Sequence, residues 1–260
     1  MKFFIKILKD FPSYLWGGWA SIASIFLFLA LWDFGNQIYG NLILPSPNET
    51  FVALFELLKD ETMQSEIMIT LNRAMIGFGL AILVGSILGL FAGLFITASI
   101  MSRPIVTILF GMPPIAWIVL AMIWFGMGDT TVIFTVFIAS FPIVFVGALQ
   151  GTRTLEGELK EMADSFHLPF SMKLFDLYLP HIFSYIFPAY ISALGMSWKI
   201  VIMAELLATS DGLGAALAVA RSQLETSTAL AIVTIMIASL LIIEYVVLEP
   251  IKKELEAWRD

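Results

Sequence analysis

The chain has 260 residues, of which 59% are hydrophobic and 13% are charged, a formal net charge of −7, and no cysteine. Its mean hydropathy of +0.92 is higher than a soluble domain of this length can carry, so the sequence predicts an integral membrane protein. The lack of cysteine excludes a disulfide framework and a thiol nucleophile, and the net negative charge disfavours nucleic-acid partners.

Six apolar runs are long enough to cross a membrane, since about 30 Å of hydrocarbon takes roughly 20 helical residues. They lie near residues 17–36, 74–97, 104–125, 131–150, 181–208 and 228–249. The lysine-bearing segment 1–10 resembles the start of a signal peptide, but no small-residue cleavage site ends the first run, so we expect it to remain as a helix. The sequence predicts an all-α fold in which residues 1–260 form one transmembrane domain with both termini on one side.

The placement of positive charge assigns that side to the cytoplasm. The basic residues in segments that share this face are Lys2, Lys6, Lys9, Arg103, Arg153, Lys160, Lys173, Lys252, Lys253 and Arg259. The opposite face keeps Lys59 and Arg221, with Arg73 near the start of the second span, and its first loop is crowded by Glu49, Glu56, Asp60, Glu61 and Glu66. Because Lys and Arg are enriched in cytoplasmic loops, we expect cytoplasmic termini.

An amphipathic segment follows the first span. It runs from Asn48 to Asp60, and one face carries Phe51, Leu54, Phe55 and Leu58. We expect it to lie at the outer membrane interface, where its acidic face either helps to select a partner protein or simply faces water above a membrane-lying helix.

The second span carries a small residue at every fourth position. These residues are Gly77, Ala81, Gly85, Gly89 and Gly93. A helix face without side-chain bulk lets a neighbouring backbone approach closely, so the pattern predicts helix packing, and sliding or tilting along this face is the alternative role.

The third span contains paired prolines. Met112-Pro113-Pro114-Ile115-Ala116-Trp117 is followed by Trp124-Phe125-Gly126-Met127-Gly128. Proline frees backbone carbonyls that must find partners inside the bundle or in a wet cavity. Pro113, Pro114 and Trp117 are therefore candidates for a kink that faces a pathway, and a purely structural kink with an interfacial tryptophan is the alternative.

The charged segment 156–178 interrupts the apolar chain. Apolar residues recur at helical spacing at Leu155, Leu159, Met162, Ala163 and Phe166, with Glu158, Lys160 and Asp164 between them. Pro169 ends that helix, a second apolar-rich stretch runs from Phe170 to Tyr178, and Pro180 opens the next span. We predict a cytoplasmic helix-turn-helix that fits a groove on a partner protein, the alternative being an ordinary solvated loop.

The fifth span contains two ionisable residues. Lys199 lies well inside it, where a charge costs on the order of 2.5 to 3.5 kcal/mol, and Glu205 is rotated by about 120° from it along the helix, so the two do not pair directly. Lys199 either attracts an anionic solute in a pathway or pairs with a buried carboxylate or carbonyl. Glu205 acts either as a gate near the outer mouth or as a structural partner.

Several motifs in order carry a resemblance to a known family. Glu161, Met162, Ala163, His167, Leu177, Leu179 and Pro180 align without a gap with Glu-Ala-Ala, three residues, Gly, nine residues, Ile-x-Leu-Pro. This segment resembles the coupling-loop signature of ATP-binding cassette importer permeases. The proline and tryptophan motifs of the third span, Leu44-Pro45-Ser46-Pro47, Trp198, Ala204-Glu205-Leu206 and Gly212-Leu213-Gly214 resemble the nitrate, sulfonate and taurine branch. The resemblance runs from about Leu44 to Tyr245, and His167 stands where the family has Gly.

The resemblance implies a type I importer permease fold in the cytoplasmic membrane of a bacterium or archaeon. It implies two copies of an ATP-binding cassette ATPase and an extracytoplasmic solute-binding protein that docks near the short helix expected after Ser210. Because each chain has one coupling loop and the ATPase pair is symmetric, we expect a second copy of this chain, and a different permease chain as the partner is the alternative. From the motif and the apolar helix face together, we assign ATPase coupling to Leu159, Glu161, Met162, Ala163, Phe166, His167, Leu177, Leu179 and Pro180. From the motifs, the proline kink and the intramembrane charges, we assign the pathway or gate to Pro113, Pro114, Trp117, Trp198, Lys199 and Glu205. The resemblance implies a solute of the nitrate, sulfonate, taurine or bicarbonate kind, and a neutral heterocycle is the alternative cargo among such permeases.

The sequence contains no motif that would support catalysis or a metal site, and it lacks the Gly-x-x-x-x-Gly-Lys-Ser/Thr phosphate loop. We therefore expect a transport subunit without a cofactor of its own, with ATP and Mg²⁺ on the partner ATPase. The alternative is an ATPase-independent carrier or channel that uses Lys199 and Glu205 as a relay. Such a carrier would need an inverted repeat with two broken helices, and the third-span motif has no counterpart in the sixth. A membrane-embedded enzyme is the third option.

Overall fold

A computed structural model describes residues 2–154 and 165–248, and these are helical with short connecting turns. The helices are α1 (Lys2–Tyr39), α2 (Pro47–Lys59), α3 (Glu61–Leu94), α4 (Ile96–Gly111), α5 (Pro114–Phe125), α6 (Asp129–Arg153), α7 (Phe170–Met172), α8 (Leu179–Ala208), α9 (Leu213–Ser222) and α10 (Thr226–Ile242). Two π-helical stretches, Lys173–Tyr178 and Ile243–Leu248, join α7 to α8 and extend α10.

The lengths and composition of these helices agree with the predicted all-α membrane fold. Segments long and apolar enough to span a membrane are Ile22–Tyr39, Glu61–Leu94, Asp129–Arg153, Phe175–Ala208 and Thr226–Tyr245. Helices α4 and α5 are long and apolar enough to cross a membrane only when taken together, and they form a broken span because the chain bends by 96° between them. With that pair taken as one span, the described part of the chain has the six spans expected.

The third span predicted near 104–125 starts earlier than predicted, and it is broken at the two prolines for which a kink is predicted. The helix begins at Ile96 and ends at Gly111, and a separate helix begins at Pro114. Met112 between them is extended (φ −85°, ψ 122°), because the residue before a proline is pushed out of the helical region. Pro113 is extended as well, and the chain direction changes at this pair.

The centre of the bundle is formed by α3, α6 and α8, which make the most extensive contacts in the described chain. Val132 and Val136 of α6, Val201 and Ala204 of α8, and Ile118 of α5 are fully buried in the shared core. The outer helix α9 and the last span α10 add Leu213 and Ile232 to the same core.

The second span extends further outward than residues 74–97. Helix α3 begins at Glu61, so Glu61 and Glu66 lie on its outer turns and not in a loop as predicted. Asp60 alone separates it from α2 and caps it by accepting a hydrogen bond from the Thr62 backbone N–H at 3.0 Å. Hydrogen bonds from Thr62 hold the pKa of Asp60 below its usual range.

The amphipathic helix α2 lies at the outer end, where it contacts α10 and α3. Ser46 and Glu49 form a capping box at its start, with two hydrogen bonds of 3.2 Å. Leu54 packs on the core, whereas Phe51 and Phe55 of the same predicted face are exposed on the single chain. The face of α2 toward the bundle therefore runs through Thr50, Leu54 and Leu57.

Candidate functional site

The outer end of the bundle contains an ion cluster centred on Arg73. Its Nη1 donates to Glu205 Oε1 of α8 at 3.0 Å, its Nε donates to Asp129 Oδ1 at 2.8 Å, and its Nη2 donates to Asp211 Oδ1 at 2.6 Å. The Arg73 and Glu205 side chains are 5% and 0% exposed, whereas those of Asp129 and Asp211 are 68% and 48% exposed. One guanidinium thus joins α3 to α8, to the start of α6 and to the loop before α9.

The Glu205 carboxylate has further donors. Oε2 accepts from Thr70 Oγ1 at 2.8 Å and from the Gly214 backbone N–H at 3.1 Å. Burial of a carboxylate without partners would be costly, and these donors together with Arg73 remove that cost. Of the two roles predicted for Glu205, this geometry favours the structural partner, and it shows that the partner is Arg73.

The outer loop before α9 packs directly over this carboxylate. A Cβ atom placed on Gly212 or Gly214 would overlap atoms of Glu205, and Gly212 also has φ +94°. Both positions therefore require glycine, for close approach and, at Gly212, for backbone conformation. The Gly-Leu-Gly motif is explained by the buried carboxylate beneath it.

Sequence reasoning counted Arg73 only as a charge near the second span and did not single out Thr70, Asp129 or Asp211. One signal was available. An arginine in an apolar, glycine-rich helix needs an acidic partner, and Glu205 had none on its own helix face. The pairing joins residues 132 positions apart, so no local pattern contains it.

Lys199 lies about 9 Å deeper along α8 than Glu205 and is exposed on the surface of the single chain. Pro188 and Ser192 share its exposed face at helical spacing, and Met203 continues that face with 40% of its surface exposed. No carboxylate of the described residues forms an ion pair with Lys199. This exposed strip of α8 carries the polar Ser192 and Lys199 beside the apolar Pro188 and Met203.

Trp198 points the other way, into the core. It is 3% exposed, and its Nε1 donates to the Met236 carbonyl of α10 at 3.1 Å. Its position favours a packing role over a pathway role. Trp117, on the first turn after the proline break, differs because its Nε1 is buried with no hydrogen-bond partner among the described residues.

The small-residue face of α3 lies against α6. A Cβ placed on Gly77 would lie 2.7 Å from Cβ of Val136, and one on Gly85 would lie 2.9 Å from Cβ of Val144. Gly93 meets Thr152 in the same way near the cytoplasmic end, and Ala81 in the middle of the face is fully buried. The two helices therefore touch along most of their length through these positions.

The described part of the 156–178 loop begins at residue 165. The predicted coupling positions Leu159, Glu161, Met162 and Ala163 lie outside the described residues. A turn containing His167 (φ +52°) precedes Pro169, and helix resumes at Phe170, as the predicted helix-turn-helix requires from this point on. Phe166 and Phe175 are 73% and 64% exposed, Leu177 is half-buried, and Leu179 and Pro180 are exposed at the start of α8. The loop thus presents apolar side chains to its surroundings.

The base of this loop is tied to the bundle by two polar contacts. Thr154 Oγ1 and His181 Nε2 are 3.0 Å apart and join the end of α6 to the start of α8. Arg153 Nη1 donates to Ser99 Oγ at 2.8 Å, which joins α6 to α4. Both ends of the loop are therefore fixed to each other and to the membrane helices.

Comparisons with known proteins agree with one another. The sequence profile of the family described as "binding-protein-dependent transport system inner membrane component" matches residues 67–249. The chain is 28% identical to the taurine transport system permease protein TauC of Escherichia coli over 75% of this chain and 73% of that protein. It is 27% identical to the nitrate import permease protein NrtB of Synechococcus elongatus (72% and 71%) and 26% identical to the bicarbonate transport system permease protein CmpB of Synechococcus elongatus (77% and 76%).

Proposed function

This chain belongs to the binding-protein-dependent transport inner membrane component family, as a multi-pass permease subunit of an ATP-binding cassette importer, and we propose that its cargo is a small oxyanion-bearing solute. The relatives named for taurine, nitrate and bicarbonate transport act on solutes that share a delocalised oxyanion. The observation that carries the proposal is Lys199, a cation exposed on α8 at membrane depth.

Lys199 also supports a two-copy pore. A charge that faced lipid at this depth would cost on the order of 2.5 to 3.5 kcal/mol, so its face must line water or be covered by protein. A second copy of the chain placed against this strip would enclose an aqueous path with one lysine from each subunit. Closed two-fold pairs are the commonest homo-oligomers, and one coupling loop in each copy would match a symmetric pair of ATPases.

Energy would enter through the 156–178 loop. Its exposed Phe166 and Phe175 are apolar anchors for a groove on the ATPase, and the ties at Thr154 and Arg153 would pass loop movement to α6, α8 and α4. ATP hydrolysis and Mg²⁺ binding would then belong to the partner chain. The ATPase-independent carrier gains no support, because the α4–α5 pair is the one sharply bent span among the described residues and such a carrier needs two.

Uptake in proteoliposomes that contain the chain, its ATPase and its solute-binding protein tests the cargo proposal. The panel is labelled taurine, nitrate, bicarbonate and an alkanesulfonate. An opposite charge at about 4 Å contributes about 1 kcal/mol even in water, so Lys199→Met should lower uptake of the transported anion at least about fivefold. Lys199→Arg, which keeps the charge, is the matched control. Unchanged uptake by a correctly assembled Lys199→Met complex would refute the assignment of Lys199 to the path.

A further inference from the structure

Three polar side chains on one face of α3 bind three consecutive residues of the outer loop. Glu66, Thr70 and Arg73 are spaced by four and three positions, so they lie above one another on the helix. Glu66 Oε2 accepts from the Gly212 backbone N–H, Thr70 Oγ1 accepts from the Leu213 backbone N–H at 2.8 Å, and Arg73 donates to the carbonyl and the carboxylate of Asp211. We call this set of contacts the α3 grip.

The α3 grip satisfies the start of α9. The first backbone N–H groups of a helix have no partner within the helix, and here Glu66, Thr70 and Glu205 accept hydrogen bonds from Gly212, Leu213 and Gly214. Acceptors on α3 and α8 thus replace a cap from the loop itself. A displacement of α9 must either break several of these hydrogen bonds or carry α3 and α8 with it.

Inward of Arg73, α3 continues with the small-residue positions Gly77, Ala81, Gly85, Gly89 and Gly93, and the four glycines among them pack on α6. Because four residues turn an α-helix by about 400°, this strip winds around α3 by about 40° at each step. With 34 residues, α3 is about 51 Å long and reaches from the outer loop to the end of α6, where the 156–178 loop begins. Helix α3 therefore contacts the outer helix at one end and the base of the coupling loop at the other.

We propose that α3 is the transmission element of this permease and that Thr70 is the positioning residue that couples it to α9. The inference rests on the proposed function and on the docking of the solute-binding protein near α9, which the sequence resemblance predicts. Docking on α9 would move α3, and α3 would move α6 and the coupling loop. Coupling free energies are reciprocal, so the nucleotide state of the ATPase must in turn change the position of α9.

Thr70 is suited to a test because valine has nearly the same shape. Thr70→Val removes the acceptor for Leu213 and a donor to Glu205, and Thr70→Ser should restore both. Thr135→Val is the matched control. Thr135 is also fully buried, but its hydroxyl donates only to the carbonyl of Thr131 in its own helix at 2.7 Å.

The readout is the distance between spin labels on the complex with its ATPase in nanodiscs. The chain has no cysteine, so Met127→Cys in the α5–α6 loop (70% exposed) and Val219→Cys in α9 (49% exposed) give two labelled sites. In the parent, trapping the ATPase with Mg-ATP and vanadate should shift this distance. Thr70→Val should lose most of the shift, whereas Thr70→Ser and Thr135→Val should keep it.

The outcomes distinguish failure of the α3 proposal from failure of the proposed importer function. A parent complex without a shift, or a Thr70→Val complex with the parental shift, overturns the role of α3. If no ATPase co-purifies with the folded parent chain, the proposed function itself fails.

Discussion

Arg73 and Glu205 lie 132 positions apart and form a buried ion pair, Nη1 to Oε1, of 3.0 Å between α3 and α8. Both side chains are at most 5% exposed. The pair is shared with Thr70 and Gly214 on the Glu205 side and with Asp129 and Asp211 on the Arg73 side. The packing of the outer ends of four helices therefore depends on the charge of Arg73 and of its carboxylate partners.

Removal of one member of the Arg73–Glu205 pair should lower the free energy of unfolding more than removal of both charges. Arg73→Met leaves the Glu205 carboxylate buried without its cation, which costs about 3 to 5 kcal/mol of stability. The midpoint temperature of thermal unfolding in detergent should therefore fall. Arg73→Met combined with Glu205→Gln should recover part of that loss, because the amide oxygen still accepts from Thr70. Asp129→Asn is the control, and it should destabilise the fold less than Arg73→Met, because the Asp129 side chain is 68% exposed and water can solvate what the pair loses. A double variant no more stable than Arg73→Met would contradict the pairing.

The glycine face of α3 predicts a position-dependent effect of one methyl group. At Gly89 an added Cβ meets the backbone carbonyl of Phe145, which no rotamer change can move, so Gly89→Ala should cost about 1 to 3 kcal/mol. Gly79 is in the same helix but has nothing within 4 Å of the equivalent position. Gly79→Ala should therefore unfold at or above the parental temperature. Equal melting temperatures for the two variants would mean that α3 and α6 do not pack as closely as described.

Part of this arrangement could be predicted from the sequence and part could not. The small-residue face, the amphipathic outer helix and the helix after Ser210 follow from patterns within about 20 residues, and the structure has a helix or a close contact at each of them. The prolines 113 and 114 indicated a kink, but a bend of 96° depends on what the two halves pack against. The Arg73 cluster joins four segments, and its partners become neighbours only when the chain folds.

The backbone conformation of His167 predicts that glycine is tolerated in the coupling-loop turn and that a β-branched residue is not. Its φ of +52° is in the left-handed region, which costs an L-residue about 1 to 2 kcal/mol, and the family signature has Gly at this position. His167→Gly should keep ATPase coupling and stability. Glycine removes the cost of the left-handed backbone, and its greater conformational freedom in the unfolded chain offsets only part of that stabilisation. His167→Val should lower both, since a β-branched residue tolerates this conformation poorly. If assembled complexes with His167→Val and His167→Gly have the same ATPase activity, the geometry of this turn is unimportant for coupling.

The amphipathic loop predicts that ATPase binding depends on Glu161 and Ala163. Glu161→Lys reverses a charge and Ala163→Asp places a carboxylate on the apolar side of the predicted helix, so together they should abolish a contact that buries that side. The test is co-purification of the ATPase with the chain in nanodiscs, followed by ATPase activity. Glu56→Lys on the outer helix α2 reverses an exposed charge far from the loop and should retain the ATPase. If the double variant is folded and keeps the parental amount of ATPase, the 156–178 loop is not the coupling surface, and if neither form binds an ATPase, energy coupling through this chain must be abandoned.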